Sequence, residues 1–281
     1  MSEHRPALEH IQAYADHLRL EEKSAATVEK YLRDVRAFAR WLEGREITKE
    51  RTASWKTHLV ERGYAPASVN AMLSALNSLL DFLGFGDCRV KFLKVQRRMF
   101  RDDSRDLTRS DYNALTAAAK AQNKTRLALL MEAICATGIR VSEVQYITVE
   151  AARAGRAEVA LKGKIRTILI PSKLCRKLLK YAKQQKTASG EIFLTRNGTP
   201  LSRRQIWAEM KGLCKTAGVA ASKVFPHNLR HLFAAAFYRA SRDIVKLADV
   251  LGHSSLETTR IYLLTSGAEH QRQLDRLGLV S

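Results

Sequence analysis

His227, Arg230 and His231 stand at i, i+3 and i+4 in PHNLRHLFAAAFY, a segment that opens on a proline, so a helix starting there carries all three on one face. His253 follows directly after the Gly252 that closes DIVKLADVLG, and Tyr262 comes nine residues later at the end of SSLETTRIY. Arg140 lies just past a helix-ending glycine in TGIRVSEV, and Lys162 falls in the run LKGK between two β-rich stretches. Singly, each has an ordinary reading: a surface cation, a satisfied core histidine, a packed phenol ring. As a set they supply a phenol nucleophile, guanidiniums that can fork onto phosphate oxygens, an ammonium that can protonate a leaving oxygen, and imidazoles that can hydrogen-bond or shuttle protons. That is what a metal-free phosphoryl transfer requires. A phenol has a reference pKa of ~10, so its attack needs neighbouring cations or a base, and the set contains both.

The rest of the chain is consistent with a phosphate-bearing partner. Its 281 residues carry 48 Lys/Arg against 28 Asp/Glu, a formal net charge of +20, which points to a polyanion. The charge is uneven: residues 1–100 have 17 Lys/Arg against 13 Asp/Glu, and residues 101–281 have 31 against 15, so contact is expected to be heaviest in the second part. No apolar run approaches the ~18 residues of a spanning helix, and MSEHRP lacks the apolar core of a signal peptide, so a cytoplasmic protein is expected and nucleic acid is favoured over membrane. Cys88, Cys135, Cys175 and Cys214 form no C-x-x-C and read as reduced, mostly buried thiols. The chain has no G-x-x-x-x-G-K-[ST] phosphate loop, which argues against nucleotide hydrolysis.

The elements that must position these residues fall into two groups. Helices are predicted over 7–20, 27–43, 48–62 and 67–83, with Thr27 capping the second and Gly44, Gly63 and Gly84 punctuating the later ends. The charge-dense, aperiodic stretch 95–106 reads as a linker. Beyond it, Thr108 and Asp111 cap a helix, and another over 124–137 ends at Gly138. A hairpin is predicted from Ala157–Leu161 and Arg166–Ile170, joined by a basic tip of residues 162–165. A helix over 173–186 follows, then a short strand at Ile192–Leu194 and a helix from Ser202 to about Gly218. Further helices start at Pro226, at about Asp243, and behind an S-x-x-E capping box at Ser254 and Glu257. The fold class is mainly α with a small β-sheet.

TGIRVSEV, the LKGK hairpin, PHNLRH, LGHSS and TTRIY, in that order, closely resemble the signature of the tyrosine recombinases, the phage-integrase family, in its compact Xer-like form. The motifs span roughly residues 107–265. The resemblance implies a helical, DNA-binding core-binding domain over 1–94, a linker over 95–106, and an α/β catalytic domain with a C-terminal tail helix over 107–281. It implies that Arg140 and Arg230 grip the phosphate and that Tyr262 becomes 3′-phosphotyrosyl-linked. His227 would be the acid/base histidine, His253 the second histidine on the phosphate, and Lys162 the general acid, with Lys164 of the same hairpin the alternative for that role.

The resemblance further implies a clamp of two domains around a duplex recombination site, and a homotetramer, or an assembly with a related subunit, exchanging strands through a Holliday junction. No cofactor and no metal are implied. Little chain precedes residue 7, so simple core sites are expected. In the tail, Leu274, Leu277 and Leu279 give 267–279 a narrow apolar stripe suited to docking on a neighbouring subunit. Rival readings are a type IB topoisomerase-like enzyme, a non-catalytic DNA-binding factor, and a zinc hydrolase using His227, His231 and His253. The last is disfavoured because HNLRH lacks the Glu of H-E-x-x-H and places Arg230 where the metal would sit.

Overall fold

Residues 8–95, 105–161, 164–262, 271–272 and 275–278 are described in a computed structural model. The chain divides into two units, Met1–Arg97 and Arg98–Ser281.

The first unit is helical: α1 (Leu8–Leu20), α2 (Ala25–Leu42), α3 (Lys49–Glu61) and α4 (Pro66–Phe82). The start of α2 differs from expectation. Ser24, not Thr27, is the cap, because its side-chain oxygen accepts the Thr27 backbone N–H and so begins the helix two residues earlier than predicted. The predicted stripe Val28, Leu32, Val35, Phe38 and Leu42 is buried, and it feeds two cores on either side of α4. Of the four basic residues of α2, Lys30, Arg33, Arg36 and Arg40, the first two pair with Asp34, which is 5% exposed, and so hold structure.

In the second unit α5 (Arg109–Ala121) begins at the expected Thr108/Asp111 capping box. The next helix, α6 (Thr125–Thr137), is buried over most of its circumference, with Leu127, Leu130, Met131, Ala133 and Ile134 all in the core. Around it run a 3₁₀ turn (Val141–Tyr146), α7 (Val149–Ala154), β1 (Arg156–Leu161), β2 (Lys164–Leu169), α8 (Ser172–Gln184), α9 (Arg203–Lys211), α10 (Cys214–Ala217), α11 (Pro226–Ser241), α12 (Ile244–Leu251) and α13 (Leu256–Arg260). Helices α5, α8, α9 and α11 all pack on α6, which makes it the axis of the unit.

Four expectations are corrected here. Strands β1 and β2 pair antiparallel with Leu161 opposite Lys164, so Lys164 and Ile165 belong to the strand rather than the tip. Ile192–Leu194 forms no strand; isolated bridges Thr148 to Glu191 and Leu194 to Pro200 stand in its place. The helix predicted from Ser202 to Gly218 is broken at Gly212 and Leu213 into α9 and α10. The last capping box also shifts by one residue: Ser255, not Ser254, accepts the Glu257 N–H.

Cys88 and Cys175 are buried, Cys135 and Cys214 half-buried, and all four are free thiols. No helix of the described residues is long and apolar enough to cross a membrane. The predicted tail helix lies largely outside the described residues; those described, 271–272 and 275–278, are exposed.

Candidate active site

Helix α11 takes Pro226 at its first position, where a missing N–H costs nothing. Its inner edge is the one that carries Arg230: Leu229, Arg230 and Ala234 are buried, while Leu232, Phe233 and Phe237 are half-buried and Ala236 is exposed. Arg230 is only 2% exposed. One of its terminal nitrogens, Nη1, donates to the carbonyl of Gly138 at the C-terminus of α6, and Nη2 donates to the carbonyl of Leu251 at the end of α12, 2.9 Å away. Two helix C-termini, each the negative end of a dipole, thus converge on one cation.

Both helix ends depend on a glycine. Gly138 and Gly252 have φ of +66° and +63°, and each is pressed closely by a side chain. A Cβ on Gly138 would lie 2.4 Å from Phe233, and one on Gly252 would lie 2.3 Å from Arg166. No other residue fits either place without displacing a neighbour.

The guanidinium of Arg230 also reaches His253, with Nη2 2.9 Å from Nε2, and His253 Nδ1 is 2.8 Å from the hydroxyl of the fully buried Thr259. An arginine can only donate, so Nε2 accepts and the ring proton sits on Nδ1, donated to Thr259. His253 is therefore neutral. Burial, and then the charges of Arg230, Arg140 and Arg166, push its pKa down to about 4.

Tyr262 closes the pocket at 5% exposure, packed with Ala234, Leu247 and Leu251. Its backbone N–H donates to Thr259 O at 3.0 Å, so the short α13 turn ties the phenol to the residue that orients His253. The ring stacks nearly parallel to His253 (centroids 5.8 Å, 12°), lies 4.5 Å from His231 and 6.5 Å from His227. His227 is exposed at the rim, edge-on to His231, and its pKa is lowered by desolvation and by Arg230 and Arg140.

Arg140 enters from the turn after α6. Its backbone N–H donates to Glu143 Oε2 at 2.7 Å and its Nη1 to Oε1 at 2.8 Å, and the Glu143 N–H donates back to the Arg140 carbonyl at 2.8 Å, which closes the start of the 3₁₀ turn. Glu143 is 1% exposed and also accepts from Arg166 of β2. Burial alone would raise its pKa, but these donors hold it below the usual carboxylate range, so it stays ionised. The structure thus brings Arg140, His227, Arg230, His253 and Tyr262 together. Lys162 lies outside the described residues.

Residues 105–268 match the family described as "Phage integrase family", and residues 11–84 match "Phage integrase, N-terminal SAM-like domain". The chain belongs to the phage integrase family. Relatives within it are Xer-type tyrosine recombinases. Tyrosine recombinase XerA of Thermococcus kodakarensis is 30% identical over 282 residues, covering 97% of this chain and 95% of the relative. Tyrosine recombinase XerD of Xanthomonas campestris is 30% identical over 285 residues, covering 91% and 87%. Among solved structures, a lambda integrase dimer bound to a core site aligns with TM-score 0.72 at 20% identity, over 91% of this chain and 94% of that one. XerH recombinase bound to its difH substrate aligns with TM-score 0.68 at 16% identity, over 97% and 90%. At these identities the two structures establish the shared fold.

For this integrase-family chain, the recombinase reading of the sequence assigned no role to Glu143, Arg166, His231 or Thr259; His231 entered only as a ligand in the zinc-hydrolase alternative. Glu143 had a readable signal, an acid three residues after Arg140 at the start of a turn. His231 shared the face of His227 and Arg230 without an assigned task. Arg166 and Thr259 act through partners distant in sequence and left no local pattern. Among the described residues no group of three or more His, Cys, Asp and Glu is placed to hold a metal ion.

Proposed function

We propose that this chain is a site-specific DNA recombinase that cuts and rejoins duplex DNA through a 3′-phosphotyrosyl intermediate at Tyr262. The observation that carries the reading is a buried phenol beside a buried guanidinium, Arg230, whose hydrogen-bond acceptors are all uncharged. Its positive charge is therefore not cancelled by a carboxylate and remains available to a phosphate.

The steps follow from the groups present. Arg230 and Arg140 fork onto the non-bridging oxygens of the scissile phosphate, and His253, held by Thr259, takes up a proton on Nε2 and donates it in a hydrogen bond to the same phosphate. The phenol oxygen attacks phosphorus, its proton passing to His227 at the rim, and the bond to the 5′ oxygen breaks. Lys162 gives the 5′ oxygen its proton. Attack by a 5′ hydroxyl from another strand reverses these transfers and restores the phenol.

Residues 1–94 serve as the DNA-gripping domain, 95–106 as the linker and 107–281 as the catalytic domain. The working assembly is a homotetramer, or one with a related subunit, on DNA in the cytoplasm at the nucleoid; a lambda integrase tetramer bound to a Holliday junction shares this fold. No observation favours the topoisomerase-like alternative.

The test uses a duplex selected for binding by the full chain and nicked so that cleavage cannot reverse. The wild type should form a covalent protein–DNA adduct, in excess chelator as well, and Tyr262→Phe should bind the duplex equally but form none. An undiminished adduct from Tyr262→Phe removes the phenol from the mechanism.

A further inference from the structure

Arg166 is not among the residues assigned above to the reaction, yet its guanidinium touches two of the parts that hold them. It projects from β2 on the same inward face as the buried Ile168, while Ile165 and Leu169 on the other face are 78% and 75% exposed. Its side chain is 14% exposed. Nη2 donates to Glu143 Oε2, the oxygen that also takes the Arg140 backbone N–H, and Nη1 donates to the carbonyl of Val250 at 3.3 Å, in the last turn of α12. Its stem fills the space that a side chain on Gly252 would need, directly before His253.

The charges explain why this matters. Two guanidiniums, Arg140 and Arg166, pair with one carboxylate, Glu143, and the charges of both are felt at Arg230. Without Arg166, both oxygens of Glu143 would be left to Arg140 alone, giving a closed ion pair that neutralises the more exposed of the two phosphate-facing arginines. With Arg166 in place the carboxylate is shared and the cluster keeps an excess of positive charge.

We propose that Arg166 is a positioning residue of the phosphate site: it shares Glu143 with Arg140, so that Arg140 keeps charge to offer the scissile phosphate, and it fixes the turn that presents His253. This rests on the reading that Arg140 and Arg230 meet that phosphate, and the experiment separates the two.

The probe is the selected duplex, prepared with either a normal phosphate or a methylphosphonate at the bond mapped from the Tyr262 adduct. The methylphosphonate has no negative charge to neutralise. Arg166→Met should slow adduct formation about tenfold or more on the phosphate and within about threefold on the methylphosphonate, relative to wild type on each. Arg166→Lys, which keeps a cation but not the fork, should recover part of the loss on the phosphate. Arg140→Ala should show the same dependence on substrate charge. If Arg140→Ala is equally impaired on both substrates, the phosphate reading itself fails. If Arg140→Ala is rescued while Arg166→Met is equally impaired on both, or unimpaired on both, the role proposed for Arg166 is wrong. Should Arg166→Met not fold by thermal melting, Arg166→Lys decides: a loss confined to the phosphate supports the proposal, and an equal loss or none on both overturns it.

Discussion

Arg230 is 2% exposed and is held by the carbonyls of Gly138 and Leu251 and the imidazole of His253, whereas the Arg140 side chain is 42% exposed and is held by a carboxylate. The first arrangement fixes a cation without cancelling it. Burial lowers the Arg230 pKa, the Tyr262 side chain works against that shift, and Arg140 adds to it. The second arrangement anchors a cation by partly neutralising it, and leaves its far side open to solvent. The proposed phosphate site therefore combines a rigid cation with full charge and a more exposed cation tethered through Glu143. Helix C-termini accomplish the first because their last carbonyls lack partners within the helix and carry the negative end of its dipole.

The sharpest way to break this comparison is to remove each arginine. Arg230→Ala should slow adduct formation by about a hundredfold or more, corresponding to ~3 kcal/mol of transition-state stabilisation. It should also lower the melting temperature, because buried acceptors left unsatisfied cost about 1–3 kcal/mol each. Arg140→Ala should impair adduct formation comparably but melt closer to wild type, since Glu143 keeps Arg166 and the backbone N–H of residue 140. DNA binding, measured by gel shift, should weaken far less than cleavage in both. If Arg140→Ala proves the less stable protein, the division into rigid and tethered cations is mistaken.

A smaller effect sharpens the same point. Gly138→Ala forces a side chain at φ +66° to within 2.4 Å of Phe233 and displaces the carbonyl that holds Arg230, so about 2–3 kcal/mol of stability should be lost along with some cleavage. Gly155→Ala has a similar φ of +70° but opens into empty space, so about 1 kcal/mol and unchanged cleavage are expected. Chemical denaturation of the two variants side by side isolates the contribution of close packing against Phe233. Equal losses would mean that backbone strain alone sets the cost.

Much of this was legible in the sequence because it is local. Caps at Thr108 and Ser202, the helix ends at Gly138 and Gly252, and the shared face of His227 and Arg230 are all settled within a turn or two of chain. The hairpin was harder. Reading Lys164 and Ile165 as tip concealed that Leu161 pairs with Lys164, and register decides which face each residue takes. Because Ile165 and Leu169 are apolar yet exposed, the alternation that would have marked Arg166 as inward-facing is disguised. The shared carboxylate joins residues 23 positions apart and the Arg166 contact with Val250 spans 84, distances over which periodicity says nothing.

The smallest effect concerns protons. His253 has its pKa pushed down to about 4 by burial first and then by the surrounding guanidiniums, against an unfolded value of ~6.5. Between those two values the unfolded chain holds a proton that the folded chain refuses. The stability from a neutral His253 is therefore fully present above pH ~6.5 and is lost as the pH falls toward 4. One proton contributes at most about 1.4 kcal/mol per pH unit, and solvent screening of a half-buried ring reduces that. His253→Gln can still accept from Arg230 and donate to Thr259 without ionising, so its melting temperature should fall less steeply between pH 7 and 5 than that of the wild type. Equal slopes would place the proton-linked loss elsewhere, with His227, whose pKa is lowered by the same cations, the next residue to substitute. DNA should reverse the sign: a phosphate among Arg140, Arg230 and His253 screens the charges that keep the imidazole neutral, so binding to the selected duplex should take up protons in this interval and tighten as the pH falls.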